Sequence, residues 1–161
     1  MSIENKAKKQ LNYTEICELL PHRPPLILVD RVLDIDYEAL SIHAIKCVSP
    51  LDPYFAGHFP NMPMFPGVYI IEGLAQSSAV MCFQNFVRLG VAWERKCMLT
   101  TVEEAKFRKP VVPGDVIHYH TKFERSRGTF VWFSGVAKID GEVVAEAKFS
   151  ALLATPITRR G

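Results

Sequence analysis

The chain has no C-x-x-C pair, very little net charge and no long apolar run, and each lack removes a class of function. Its four cysteines, Cys17, Cys47, Cys82 and Cys97, are scattered about evenly. That spacing argues against zinc and against a disulfide framework, and leaves reduced thiols in a cytoplasmic protein as the simplest reading. A net charge of +2 on 161 residues gives no general nucleic-acid binder. Nowhere do about 18 successive apolar residues occur, so no membrane-spanning helix is expected. No G-x-S-x-G, no phosphate-binding glycine loop and no G-x-G-x-x-G is present, so neither a serine hydrolase elbow nor a nucleotide cofactor is indicated. The polar, lysine-rich start lacks the apolar stretch of a signal peptide. Residues 1–12 are expected to form a flexible tail and residues 13–161 a single domain. With 48% apolar residues the chain can bury a sizeable core.

Proline is distributed unevenly, and its distribution organises the chain. Residues 49–67 hold five prolines, Pro50, Pro53, Pro60, Pro63 and Pro66, together with Gly57 and Gly67. Such a stretch is a shaped loop, because proline fixes φ and removes donors. From Val68 to about Leu89 there is no proline, which reads as one long helix. Its apolar residues point to nearly every side, the mark of a buried helix. Upstream, Thr14 is a plausible cap for a short helix ending near Pro21, and residues 26–32 and 39–48 read as strands. Downstream come strands at 98–108, 116–125, 129–139 and 143–153, the last two joined by Asp140-Gly141, a strong hairpin signal. One buried helix with an antiparallel sheet gives an α+β domain.

Two lone titratable groups flank this loop–helix junction. Glu72 shares a helix face with Val68, Ala75, Gln76, Ala79 and Phe83. In that company burial should raise its carboxyl and keep it protonated, a proton donor; the plainer alternative is a helix edge reaching solvent. His58 lies in the proline loop, and an imidazole's intrinsic value near 6.5 suits a base; packing beside Phe59 is the plainer reading. Gly67 opens the helix, where free N–H groups and the dipole can hold a carbonyl oxygen gaining charge, or where glycine simply serves the turn. Gln76, one turn beyond Glu72, can hydrogen-bond its carboxyl or serve an interface. His118 and His120 share a strand face without ligand spacing for a metal, so they read as structural. Basic residues at Lys106, Arg108 and Lys109, at Lys122, Arg125 and Arg127, and at Arg95-Lys96 form solvated strand edges or steer an acidic partner.

The run Leu20-Pro21-His22-Arg23-Pro24-Pro25-Leu26-Ile27-Leu28-Val29-Asp30-Arg31-Val32, the stretch from Gly57-His58-Phe59-Pro60 to Pro66-Gly67-Val68, then Glu72-Gly73-Leu74-Ala75-Gln76, and Ala105-Lys106-Phe107-Arg108-Lys109-Pro110 through Asp115 resemble the FabZ-type β-hydroxyacyl-acyl-carrier-protein dehydratases. The resemblance spans about residues 14–154. It implies a hot-dog fold, an antiparallel sheet wrapped around one long central helix. It also implies a homodimer with two shared active sites, which can assemble into a hexamer as a trimer of dimers. By resemblance His58 is the catalytic histidine, Glu72 of the other subunit is the catalytic carboxyl, and Gly67 offers its N–H to the thioester carbonyl. The glutamate, where related dehydratase-isomerases carry aspartate, favours plain dehydration. Acyl carrier protein is the implied partner, with Lys106, Arg108 and Lys109 as candidate docking residues. No metal or other cofactor is expected, since the substrate carries its own phosphopantetheine. Phe59, Phe83 and Ile71 are candidate walls for an acyl tunnel. Asn61, Pro24 and Leu26 depart from the usual glycine, tyrosine and phenylalanine, which bears on acyl-chain preference more than on reaction type. A hot-dog thioesterase and a non-catalytic acyl-binding module are the alternatives; the joint presence of an acid and a base counts against the second.

Overall fold

The structure, a computed structural model, describes residues 7–157. Of the stretch expected to be a flexible tail, residues 1–6 lie outside the described residues, while Leu11 is buried and bridges to Val32. The first helix, α1 (Tyr13–Leu19), is capped by Asn12 and not by Thr14. Asn12 and Glu15 satisfy each other's backbone N–H groups in a capping box, two bonds that a cap at Thr14 would forgo.

Six strands follow: β1 (Arg31–Asp36), β2 (Ser41–Cys47), β3 (Cys97–Phe107), β4 (Val116–Arg127), β5 (Phe130–Ile139) and β6 (Glu142–Leu153). They form one sheet in the order β1-β2-β4-β5-β6-β3, every pair antiparallel. Residues 26–30, expected to open the first strand, stay outside it. There the Leu28 N–H donates to the side chain of Gln76, not to a neighbouring strand. The Asp140-Gly141 hairpin forms as expected, with Asp140 and Gly141 both at positive φ.

The long helix α2 (Gly67–Leu89) crosses the concave face of the sheet. From Gln76 to Phe86 every residue is buried, including two serines that return their hydroxyls to the helix's own carbonyls. Helix and sheet meet most closely at Gly73: a Cβ there would lie 2.3 Å from the Tyr119 ring and hydroxyl, so only glycine fits. At its far end α2 stops at Gly90, whose φ of 64° is the left-handed closure that glycine favours.

The two edges of the sheet differ. At the β1 edge the Leu11 bridge adds cover. At the other, ten of the eleven residues of β3 are exposed, Met98, Leu99, Val102 and Phe107 among them.

Candidate active site

Residues 52–67 carry the histidine to the mouth of α2. A short 3-10 turn, Pro53–Ala56, leads in. Beneath it Lys46 projects inward from β2, nearly buried, with the carboxylates of Asp30 at 3.5 Å and Asp52 at 3.6 Å. Asp52 also accepts from the Tyr54 hydroxyl and the Ser49 N–H, so the loop is stapled to the sheet before it reaches His58. The His58 N–H donates to the Tyr54 carbonyl, and the Met64 N–H returns to the His58 carbonyl.

The imidazole is oriented by one bond. Its Nδ1 lies 2.7 Å from the Met64 carbonyl oxygen, which can only accept, so Nδ1 carries the hydrogen. In the neutral ring Nε2 is then left with its lone pair, the form a general base needs. Phe59 stacks on the ring at 4.1 Å.

Glu72 is held from within its own helix. Gln76, 1% exposed, donates through Nε2 to Glu72 Oε1 at 3.0 Å and to the Leu26 carbonyl at 2.7 Å, and accepts the Leu28 N–H at 2.8 Å. The amide is therefore used on both sides, and it aims the carboxyl while anchoring residues 26–28. A second neighbour was not assigned a role from the sequence: His22 Nε2 lies 3.2 Å from Glu72 Oε1. The same proline-stiffened pattern that marks the His58 loop, here Pro21-His22-Arg23-Pro24-Pro25, was the signal available for it.

This corrects the expected charge state. Burial pushes the Glu72 carboxyl up, but the bonds from His22 and Gln76 outweigh it, and the net direction within the chain is down. Its charge also reaches Cys97, which burial first and Glu72 second push up to about 12.

Gly67 sits where expected, at the first position of α2, after Pro66, which provides no capping side chain. A Cβ at Gly67 would lie 2.8 Å from the Phe107 ring, so the helix mouth and β3 touch through a glycine. A cavity of about 580 Å³ opens here, between Gly67, Val68 and Ile70 on one side and Phe107, Arg108 and Lys109 on the other. The structure thus brings Glu72, Gln76 and His22 together, and Gly67 with the basic run. Among the described residues no hydrogen bond or ion pair joins His58 to Glu72 of the same chain.

The three basic residues are already engaged. Arg108 pairs with Glu146 at 2.8 Å, Lys106 with Glu146 at 3.7 Å, and Lys109 with Glu142. Of the expected tunnel walls, Phe59 is 43% exposed beside His58, whereas Ile71 is buried and Phe83 is buried against Trp93. His118 and His120 lie on the convex face of the sheet, where His43 joins them: His43 Nε2 is 2.9 Å from His118 Nδ1, and its ring stacks on His120 at 4.1 Å. No group of His, Cys, Asp or Glu suited to a metal ion occurs among the described residues.

A family model described as a FabA-like domain matches residues 20–148. The chain belongs to that family. Within it, the chain is similar to proteins named 3-hydroxyacyl-[acyl-carrier-protein] dehydratase FabZ. With the one from Aliivibrio fischeri it is 49% identical over 92% of this chain and 95% of that protein. With the one from Methylobacterium radiotolerans it is 44% identical over 87% of each. Among solved structures, the dehydratase heterocomplex ApeI:P of Xenorhabdus doucetiae superimposes with a TM-score of 0.75 at 19% identity, covering 87% of this chain and 91% of that one. A hypothetical thioesterase with coenzyme A from Streptococcus pneumoniae gives 0.57 at 12% identity, over 79% and 87%. At such identities these two speak for the fold alone, which is the hot-dog fold.

Proposed function

We propose that this chain dehydrates (3R)-3-hydroxyacyl chains, carried as thioesters on acyl carrier protein, to trans-2-enoyl thioesters in fatty acid biosynthesis. The observation that carries the reading is the His58 ring: with Nδ1–H committed to Met64, the neutral ring keeps a basic Nε2 beside the mouth of α2. That Nε2 takes the C2 proton. The N-terminal N–H of Gly67 and the helix dipole hold the thioester oxygen as negative charge develops on it. The C3–O bond then breaks, its electron pair leaves with oxygen, and the carboxyl proton of Glu72 completes a water molecule. No metal or redox step enters; phosphopantetheine belongs to the substrate.

His58 and Glu72 meet, in this reading, across two copies of the chain. The bare β3 edge supports it: a long strand with exposed Leu99 and Val102 is a template for pairing with a second β3. Arg108 and Lys109 rim the cavity at Gly67, with Lys106 next to them on β3, and all three would face the acidic carrier protein, with Glu142 and Glu146 tempering their charge. The reading places the protein in the cytoplasm; among the described residues no helix is long and apolar enough to cross a membrane.

Supplying a 3-hydroxyacyl thioester and following the enoyl chromophore against free thiol tests the reaction type. Enoyl product is expected, and free thiol in its place would make the chain a thioesterase. His58→Ala and Glu72→Gln should each lower turnover by about 10²–10⁴-fold. Wild-type rates in both would remove the site. Leu99→Lys with Val102→Lys should convert a dimer to monomers in sedimentation and abolish turnover; an active monomer would refute the shared site.

A further inference from the structure

Glu72 must offer a proton, yet its nearest neighbours favour the charged form. The geometry around His22 resolves this. Its Nε2 is 3.2 Å from Glu72 Oε1, within reach of proton exchange. Its Nδ1 is buried with no hydrogen-bond partner, so the ring is committed to the carboxyl on one side only. The ring cannot drift away. Arg23 Nη1 donates to the carbonyls of Leu20 and His22, at 2.9 and 2.6 Å, and Gln76 ties Leu26 and Leu28 to α2. Arg23 thus braces the turn around His22 itself, and Gln76 ties the residues that follow it to the helix.

We propose that His22 is the positioning and proton-restoring partner of Glu72, so that the acid of the reaction is a His22–Glu72 pair holding one proton between them. The inference rests on the reading of Glu72 as the acid. The proton lies between His22 Nε2 and Glu72 Oε1 and passes through the carboxyl to the leaving C3 oxygen. A neutral His22 and a Glu72 carboxylate remain, and the pair regains its one proton from solvent. His58 releases the C2 proton to solvent, so the cycle consumes no proton. The charged and titratable groups facing the pair are few: Arg23 beside His22, Cys97 near β3's start, and Tyr119 under the helix, whose buried hydroxyl is also unpartnered. Neither Cys97 nor Tyr119, both pushed upward by burial, can replace His22 as the donor near neutral pH.

The test is the pH profile of dehydration in the intact protein. The acid limb reports the base, and the alkaline limb reports loss of the pair's proton. His22→Gln keeps a donor of similar reach but cannot carry a titrating proton. It should lower kcat by about tenfold or more at pH 8, leave KM within about twofold, and move the alkaline limb to lower pH. An unchanged alkaline limb with unchanged kcat would overturn the proposal. In the wild type, ¹⁵N resonances of His22 should show the hydrogen shared with Glu72 on Nε2. An Nε2 without that hydrogen would overturn the proposal equally, whether or not the variant folds. The two readings fail separately. If Glu72→Gln keeps full turnover, Glu72 is not the acid; if Glu72→Gln is inactive while His22→Gln is indistinguishable from wild type, only the role of His22 falls.

Discussion

Histidines gather on both sides of this sheet, and the two groups differ in what surrounds them. On the convex face His43, His118 and His120 stack and bond chiefly to one another, bordered by Asp34 and Lys138. On the concave face His22 meets a carboxylate that a buried amide holds in place. Imidazoles alone disfavour charge: burial and then neighbouring cations push His120 down to about 4, and burial likewise lowers His43. An imidazole beside a carboxylate instead shares a proton with it. Composition is similar; the partner decides whether a histidine is packing or chemistry.

The strongest way to break this contrast is to exchange the groups' expected consequences. Variants at Glu72 should cost turnover as stated above, whereas His43→Thr and His120→Thr should leave kcat and KM as in the wild type. A catalytic loss in the convex variants would put chemistry on the wrong face.

Next in size is Gln76→Leu. It removes the amide that serves Leu26, Leu28 and Glu72 at once and leaves the buried Leu28 N–H and the Leu26 carbonyl without that partner. The cost should be about 2–4 kcal/mol in chemical denaturation, with dehydration falling alongside. A variant as stable as the wild type would mean that water replaces the amide.

The smallest effect is pH-dependent stability. The folded values of His43 and His120 lie below the ordinary imidazole value, so the unfolded chain binds more protons between about 6.5 and about 4. Stability is therefore full above pH 6.5 and is lost as pH falls toward 4. Both rings are partly exposed, so His120→Thr should recover only about 1 kcal/mol of that loss at pH 4.5, read as a shift in denaturation midpoint. An unchanged pH dependence would place the acid sensitivity elsewhere.

Much of this could be read from the residues. The absence of proline after Pro66 bounded α2, and Asp140-Gly141 marked the final hairpin. The bond from Gln76 to Glu72 followed from their separation by one turn. What could not be read was long-range. Residues 26–30 carry a strand's composition, but Leu28 gives its N–H to a side chain 48 positions away. Glu72 lies in apolar company, which argues for a raised carboxyl; its net direction is set by His22, 50 positions upstream in sequence. The basic run reads as a free patch because Glu142 and Glu146 reach it from another strand.

The contact between Gly73 and Tyr119 has one more consequence. Because no side chain stands between helix and phenol there, the height of α2 above the sheet is fixed by a single aromatic ring, one residue from the carboxyl. An alanine at that point would wedge the helix outward and carry Glu72 with it. Packing tolerance and catalytic reach are thus the same length at this spot, so selection on the protein's activity would act on Tyr119 although no substrate touches it.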